Sequence, residues 1–367
     1  MTLFPPAACP RLIVKVGSAL LVAPDGAVRR AWLATLVSDI AERVAAGQQV
    51  AIVSSGAIAL GARRLGLAKG GRASLEDAQA AAATGQIALS QTWAELLGQH
   101  DIVAAQMLVT LDDLEDRRRY LNAAATLGRL LGLGVVPIIN ENDSVATEEI
   151  RFGDNDRLAA RVAQAAGAQG VLLLSDVDGL YDSNPHGNPA AQHIPRVERI
   201  EAVAGMADAG SASGMGSGGM VSKIAAARIA TAAGAHLAIA SGRQDHPLAG
   251  EPRHTLFVAE RAATARKAWL AGGLTARGAL HVDAGAAKAL AAGSSLLAAG
   301  VMRVEGAFAR GDLVTIAGPD GLLARGLSEY DANEAVRLVG TRSDEQAAIL
   351  GYAPRAALVH RNHLALV

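Results

Sequence analysis

Two periodicities alternate along the first 260 residues. Apolar runs at residues 11–16, 50–53, 102–108, 135–139, 170–174 and 236–240 are short and rich in Val, Ile and Leu. Their near-continuous apolar character predicts parallel strands covered on both faces. Between them, residues 29–46, 74–97, 112–131, 156–166 and 224–233 carry apolar positions at helical spacing. Gly47 closes the first of these as a C-cap. Alternation of strand and helix predicts an α/β fold, an open and mainly parallel sheet sandwiched by helices. Residues 236–240 read as the last strand of this part. From Gly278 the pattern shortens to a Val-Thr-Ile strand, a Gly-Pro-Asp-Gly turn and a further strand, which predicts a small β-rich domain. The expected division is a larger domain over residues 1–260, a linker at 261–276 and the β-rich domain at 277–367.

The polar positions that end these strands carry the candidate chemistry. The run at 135–139 stops abruptly at Asn140, Glu141, Asn142 and Asp143, and a second polar knot, Gly153-Asp154-Asn155-Asp156, opens the next helical pattern. Alone, the second knot would read as a helix cap. Two such knots in one turn-and-return unit favour a binding site, because open α/β sheets bind ligands at the carboxyl ends of their strands. Lys15 interrupts an apolar strand, which is costly unless its ammonium meets an anion or the strand lies at an edge. With Gly17 and Ser18 behind it, the lysine is a candidate for phosphate, although no G-x-x-x-x-G-K-[ST] loop occurs. Ser54-Ser55-Gly56 forms a similar turn at a strand end. Ser175 and Asp176 follow the strand at 170–174, as a tight turn or as the lining of a nucleotide pocket. Residues 182–195 read as an exposed hairpin or loop, and the Arg117-Arg118-Arg119 run as a solvated helix face. Residues 210–223 read G-S-A-S-G-M-G-S-G-G-M-V-S-K. A linker would not normally end in Ser-Lys at a helix start, so this stretch predicts a phosphate clamp with Lys223 at its end.

Composition narrows the classes. A chain of 367 residues suits two domains. Hydrophobic residues make up 51% and aromatics 3%, so the core must be built from Ala, Val, Leu and Ile. A formal net charge of -1 supplies no global field toward nucleic acid or a membrane. The single Cys9 excludes an internal disulfide and a cysteine metal cluster. No apolar run approaches about 20 residues, and no secretory leader is legible, so a cytoplasmic location is expected. None of the nine histidines stands out as catalytic, and no metal-ligating set is predicted.

The motifs V-K-V-G-S, S-S-G-A-I-A-L-G, I-N-E-N-D-S-V-A, F-G-D-N-D-R-L-A-A, L-L-L-S-D-V-D-G-L-Y and G-S-G-G-M-V-S-K, in this order and spacing, resemble the glutamate 5-kinase (gamma-glutamyl kinase) family. Those enzymes join an amino acid kinase domain to a PUA domain. The motifs V-D-A-G-A-A-K-A-L, G-S-S-L-L and F-A-R-G-D-L-V resemble the PUA half, so the likeness covers nearly the whole chain. The resemblance implies ATP as co-substrate, Mg²⁺, and phosphorylation of the side-chain carboxylate of L-glutamate, the first step of proline biosynthesis. It assigns Lys15, Lys223 and Asp156 to catalysis, and Ser55, Asp143 and Asn155 to glutamate. Nucleotide positions would be Lys15, Ser175, Asp176, Gly216, Ser217, Gly218, Gly219, Met220 and Lys223. It also implies feedback inhibition by L-proline and a homo-oligomer, dimer or tetramer. Ser217 and Ser222 stand where threonine is frequent in the family. The Tyr181-Asp-Ser-Asn-Pro185 stretch departs from the usual Tyr-Thr-x-Asp-Pro, so the resemblance assigns no role to an Asp in that hairpin. Two alternatives remain from sequence: a kinase of the same fold for another acid or a nucleotide, and an RNA-binding PUA protein. Near-neutral charge and scarce aromatics count against the second.

Overall fold

A computed structural model describes residues 3–145, 155–185, 187–209, 219–259, 276–355 and 357–367. The chain divides into two compact units, Met1–Glu115 with Ala123–Glu260, and Asp116–Asn122 with Arg261–Val367.

The first unit is built on a sheet whose strands are β1 (Arg11–Val16), β2 (Gln49–Ser54), β3 (Ala104–Val109), β4 (Val136–Glu141), β5 (Gly170–Ser175), β8 (Arg196–Val197), β9 (His236–Ser241) and β10 (His254–Phe257). Their spatial order is β3-β4-β2-β1-β5-β9-β10-β8. From β3 to β9 every pairing is parallel, so these strands bring their carboxyl ends to one edge. The strand at 236–240 is not the last. Beyond it β10 runs antiparallel to β9, and β8 pairs with β10. The stretch before β10 carries Pro247, Gly250 and Pro252, and its four residues, His254-Thr-Leu-Phe257, show no apolar alternation, so the sequence concealed it. A short antiparallel pair, β6 (Leu180–Tyr181) with β7 (His193–Ile194), brackets the segment expected as a hairpin or loop.

Successive side chains of a strand point to opposite faces, and β1 shows the consequence. Leu12, Val14 and Val16 join one apolar layer with Trp32, Leu36 and Ile40 of α2 (Arg30–Ala45). Ile13 joins the opposite layer, with Leu158 and Ala159 of α7 (Asn155–Ala166) and Ala226 and Ala227 of α8 (Met220–Ala232). Lys15 shares the parity of Ile13, so it faces α7 and α8. The segment expected as one helix over 112–131 is two, α5 (Leu111–Glu115) and α6 (Arg117–Gly132). Asp116 stands at the break, and its carboxylate accepts a hydrogen bond from the Arg119 N–H, as a cap does.

A close approach fixes the far side of the sheet. Helices α3 (Ala57–Leu65) and α4 (Leu75–Gly98) cross where Gly61 meets Gly85. A Cβ on Gly85 would lie 1.8 Å from the Ala57 carbonyl oxygen, and one on Gly61 would lie 1.7 Å from that of Ala81. Only glycine lets the two backbones touch there.

The second unit holds a five-stranded sheet in the order β12-β11-β13-β14-β15: β11 (Gly278–Val282), β12 (Val301–Gly306), β13 (Leu313–Gly318), β14 (Gly321–Leu327) and β15 (Leu364–Leu366). Its core gathers Leu280, Val314, Ile316, Ala324 and Tyr330. Within this unit Arg117 lies 3.7 Å from Asp312 and Arg118 donates to the Arg310 carbonyl. Part of the arginine run read as a solvated face is therefore engaged.

Candidate active site

At the carboxyl edge of the first unit's sheet, one buried carboxylate holds two lysines. Lys15 Nζ lies 2.6 Å from Asp156 Oδ1, and Lys223 Nζ donates to Asp156 Oδ2 at 2.9 Å. Lys15 is 8%, Lys223 6% and Asp156 0% exposed, so the triad is almost dry. Each member comes from a different element: Lys15 from the penultimate position of β1, Asp156 from the first turn of α7, Lys223 from the first turn of α8. Burial would raise the Asp156 carboxyl, yet the two ammonium groups overcome it and hold it below the ordinary carboxylate range. Burial pulls Lys15 below the usual lysine range, with repulsion from Lys223 adding to the effect. Two ammonium groups on one carboxylate leave a net positive charge in a low-dielectric site. An arriving anion would feel that charge far more strongly than in water. The cost of burying Lys15 in a strand is thus met by a carboxylate, as its position inside β1 required.

Beside the triad runs a chain of amides. Asn155, one residue before Asp156, donates through Nδ2 to Ser55 Oγ at 2.7 Å and to Asn140 Oδ1 at 3.2 Å. Its Oδ1 is buried without a hydrogen-bond partner among the described residues. Asn140, 2% exposed, also accepts from the Glu141 N–H at 2.9 Å and donates through Nδ2 to Gln86 Oε1 at 2.8 Å. Gln86 donates in turn to Ser90 Oγ at 3.2 Å. Ser54 is anchored from behind by the Trp93 indole, which donates to its hydroxyl at 3.0 Å. Of this network, Ser55 and Asn155 were singled out from sequence. Gln86 was not, and Asn140 was noted only as part of the polar knot.

A cavity of about 280 Å³ opens between α4 and the ends of β3 and β4, with Gln86, Gln106, Glu141, Asn142 and Asp143 in its wall. Burial pushes the Asp143 carboxyl up from 3.8 to about 6. Ser175 ends β5 and donates to Asp176 Oδ1 at 3.0 Å. The Asp176 carbonyl accepts from Arg243 Nε at 3.0 Å, and the Asp176 charge acts on Lys15. Gly219 stands as N-cap of α8 and Met220 is its first residue, so the helix opens earlier than the 224–233 pattern indicated. Asp154, Gly216, Ser217, Gly218 and the 261–275 part of the linker lie outside the described residues.

Among the described residues no group of three His, Cys, Asp or Glu side chains is placed to hold a metal. No helix of the described residues is long and apolar enough to cross a membrane.

Comparison with known proteins adds an independent line. The profile of the amino acid kinase family matches residues 10–241, and that of the PUA domain matches residues 278–350. A glutamate 5-kinase of Sphingopyxis alaskensis is 76% identical over the full length of both chains. One from Novosphingobium aromaticivorans is 64% identical, covering 98% of this chain and 96% of that one. One from Zymomonas mobilis is 59% identical, covering 99% and 93%.

Proposed function

The chain belongs to the amino acid kinase family, and on that premise we propose that it transfers the γ-phosphoryl group of ATP to the side-chain carboxylate of L-glutamate. The product is gamma-glutamyl phosphate, and the reaction opens proline biosynthesis. Full-length relatives named glutamate 5-kinase support the substrate. The observation that carries the chemistry is the buried Lys15–Asp156–Lys223 triad.

In the transfer, a carboxylate oxygen of glutamate forms a bond to the γ-phosphorus while the bond from that phosphorus to the β,γ-bridging oxygen breaks. ADP leaves with the electron pair. Charge spreads over the phosphoryl oxygens in the transition state, so positioning and charge stabilisation dominate catalysis. The two ammonium groups supply that stabilisation. Asp156 holds both in place before the reaction, which avoids reorganisation as charge develops. No general base is required, because a glutamate side chain with a pKa near 4.3 is already ionised at neutral pH. That accounts for a site built without histidine. Ser175 and Asp176 are read as nucleotide contacts, together with the glycine stretch before Lys223. Ser55, Asn155 and Asp143 are read as glutamate contacts.

L-Proline carries the same α-carboxylate and a cationic α-nitrogen, which supports its assignment as feedback inhibitor. A homo-oligomer in the cytoplasm completes the reading. A panel of acceptors tests the substrate: ATP-dependent ADP release should be strong with L-glutamate and at least about a hundredfold weaker, as kcat/KM, with L-aspartate, N-acetyl-L-glutamate or UMP, the discrimination expected when site polar groups are left unpaired. Preference for any of the other three would overturn the substrate assignment.

A further inference from the structure

The amide chain beside the triad has a direction, and its direction can be deduced. A backbone N–H can only donate, so the Asn140 atom 2.9 Å from the Glu141 N–H is the carboxamide oxygen. The nitrogen of Asn140 must then face Gln86, whose oxygen receives it at 2.8 Å. Asn155 faces that Asn140 oxygen and also the Ser54 carbonyl, at 3.2 and 3.4 Å. Both are acceptors, so Asn155 presents its nitrogen to them. Its oxygen is left as a buried acceptor with no partner among the described residues. Such an acceptor carries a free-energy penalty until it meets a donor.

Of the groups on L-glutamate, the two carboxylates only accept, and the α-ammonium alone donates. We propose that Gln86 is a positioning residue for substrate selection. Through Asn140 it holds the Asn155 carboxamide with its oxygen free for the α-ammonium of the amino acid. It thereby favours amino acids over diacids that lack that group. Gln86 can do this because Gly85, its neighbour on α4, brings that helix against the start of α3, and because Ser90 one turn later fixes its other end. The inference rests on the proposed glutamate reaction and extends it to a residue of α4 that touches no reacting atom.

The test uses the full-length chain with Gln86→Met, which keeps the length of the side chain and removes its amide. KM for L-glutamate should rise about tenfold, the equivalent of about 1.4 kcal/mol. KM for ATP and the inhibition constant of glutarate, which lacks the α-ammonium, should stay within about twofold. Equal weakening of L-glutamate and glutarate would show a merely structural role and overturn the proposal, as would an unchanged KM for L-glutamate. If Gln86→Met melts without cooperativity, Ser90→Ala supplies the decision. It removes only the anchor of Gln86 and should weaken L-glutamate about threefold while sparing glutarate, within the range of one modest hydrogen bond. Unselective or absent loss in that variant overturns the proposal. A wild-type chain that does not phosphorylate L-glutamate would defeat the reaction itself, and is seen before any variant is made.

Discussion

At Asp143, burial and the proposed contact with glutamate pull in opposite directions. Its carboxyl is pushed up to about 6 by desolvation, while a role on the cationic side of glutamate requires the charged form. Raising the pH from 5 to 7.5 should therefore lower KM for L-glutamate by roughly tenfold, the change in ionised fraction across that interval. Asp143→Asn should flatten the profile. Stability runs the other way. A carboxyl whose folded pKa is raised contributes stability fully below its unfolded value of about 3.8, and that contribution is lost as pH rises through about 6. Asp143→Asn should accordingly raise Tm at pH 7.5 while weakening glutamate. A melting curve beside a pH series of KM separates the two effects. An unchanged pH profile in the variant would remove Asp143 from glutamate binding.

Elements, more than residues, decide what was legible in the sequence. Strands β1, β2, β4, β5 and β9 could be read because each is a continuous apolar run bounded by turn residues. The lysine in β1 signalled either an anion or an edge strand, and the place of β1 between β2 and β5 rules out the edge. The Lys15–Asp156–Lys223 assembly followed from family resemblance rather than periodicity, as its members are separated by more than sixty residues at each step. Three things stayed hidden. The break between α5 and α6 depends on a local cap at Asp116. Strand β10 is four residues long and pairs against the run of the sheet. The Asn140–Gln86 hydrogen bond joins residues 54 apart, and an amide within an Ala/Gln/Leu helix gives no hint of its partner. A glutamine four residues before a serine, Gln86 and Ser90, was the one signal the sequence held. The glycines of the α3–α4 crossing yield a sharper prediction. In an ordinary helix interior Gly→Ala stabilises by about 1 kcal/mol. Here Gly85→Ala should destabilise by about 2 kcal/mol or more, because the new methyl meets a backbone carbonyl. A denaturant titration that found Gly85→Ala neutral or stabilising would refute the close crossing.

At the scale of the whole molecule, every residue assigned to chemistry lies at or before Lys223, in the first unit. A chain ending after residue 260 should therefore still release ADP in response to L-glutamate, with turnover within about threefold of the full chain and altered sensitivity to L-proline. It should also melt earlier. Residues 116–122 belong with the second unit, where the buried Tyr120 ring meets His363 edge-on. Uncovering one large side chain costs about 1.5–3 kcal/mol. A folded fragment without activity would show that the second unit completes the site.

The central claim is that two lysines on one buried carboxylate transfer a phosphoryl group to the side chain of glutamate. Trapping the acyl phosphate with hydroxylamine tests it most directly. Wild-type protein supplied with ATP, Mg²⁺ and L-glutamate should form gamma-glutamyl hydroxamate in step with ADP. Lys15→Ala and Lys223→Ala should each form it at least about a hundredfold more slowly, the scale of losing one charged donor to the transition state, with circular dichroism unchanged. ADP release without hydroxamate, or near-normal hydroxamate formation in either folded lysine variant, would contradict the account.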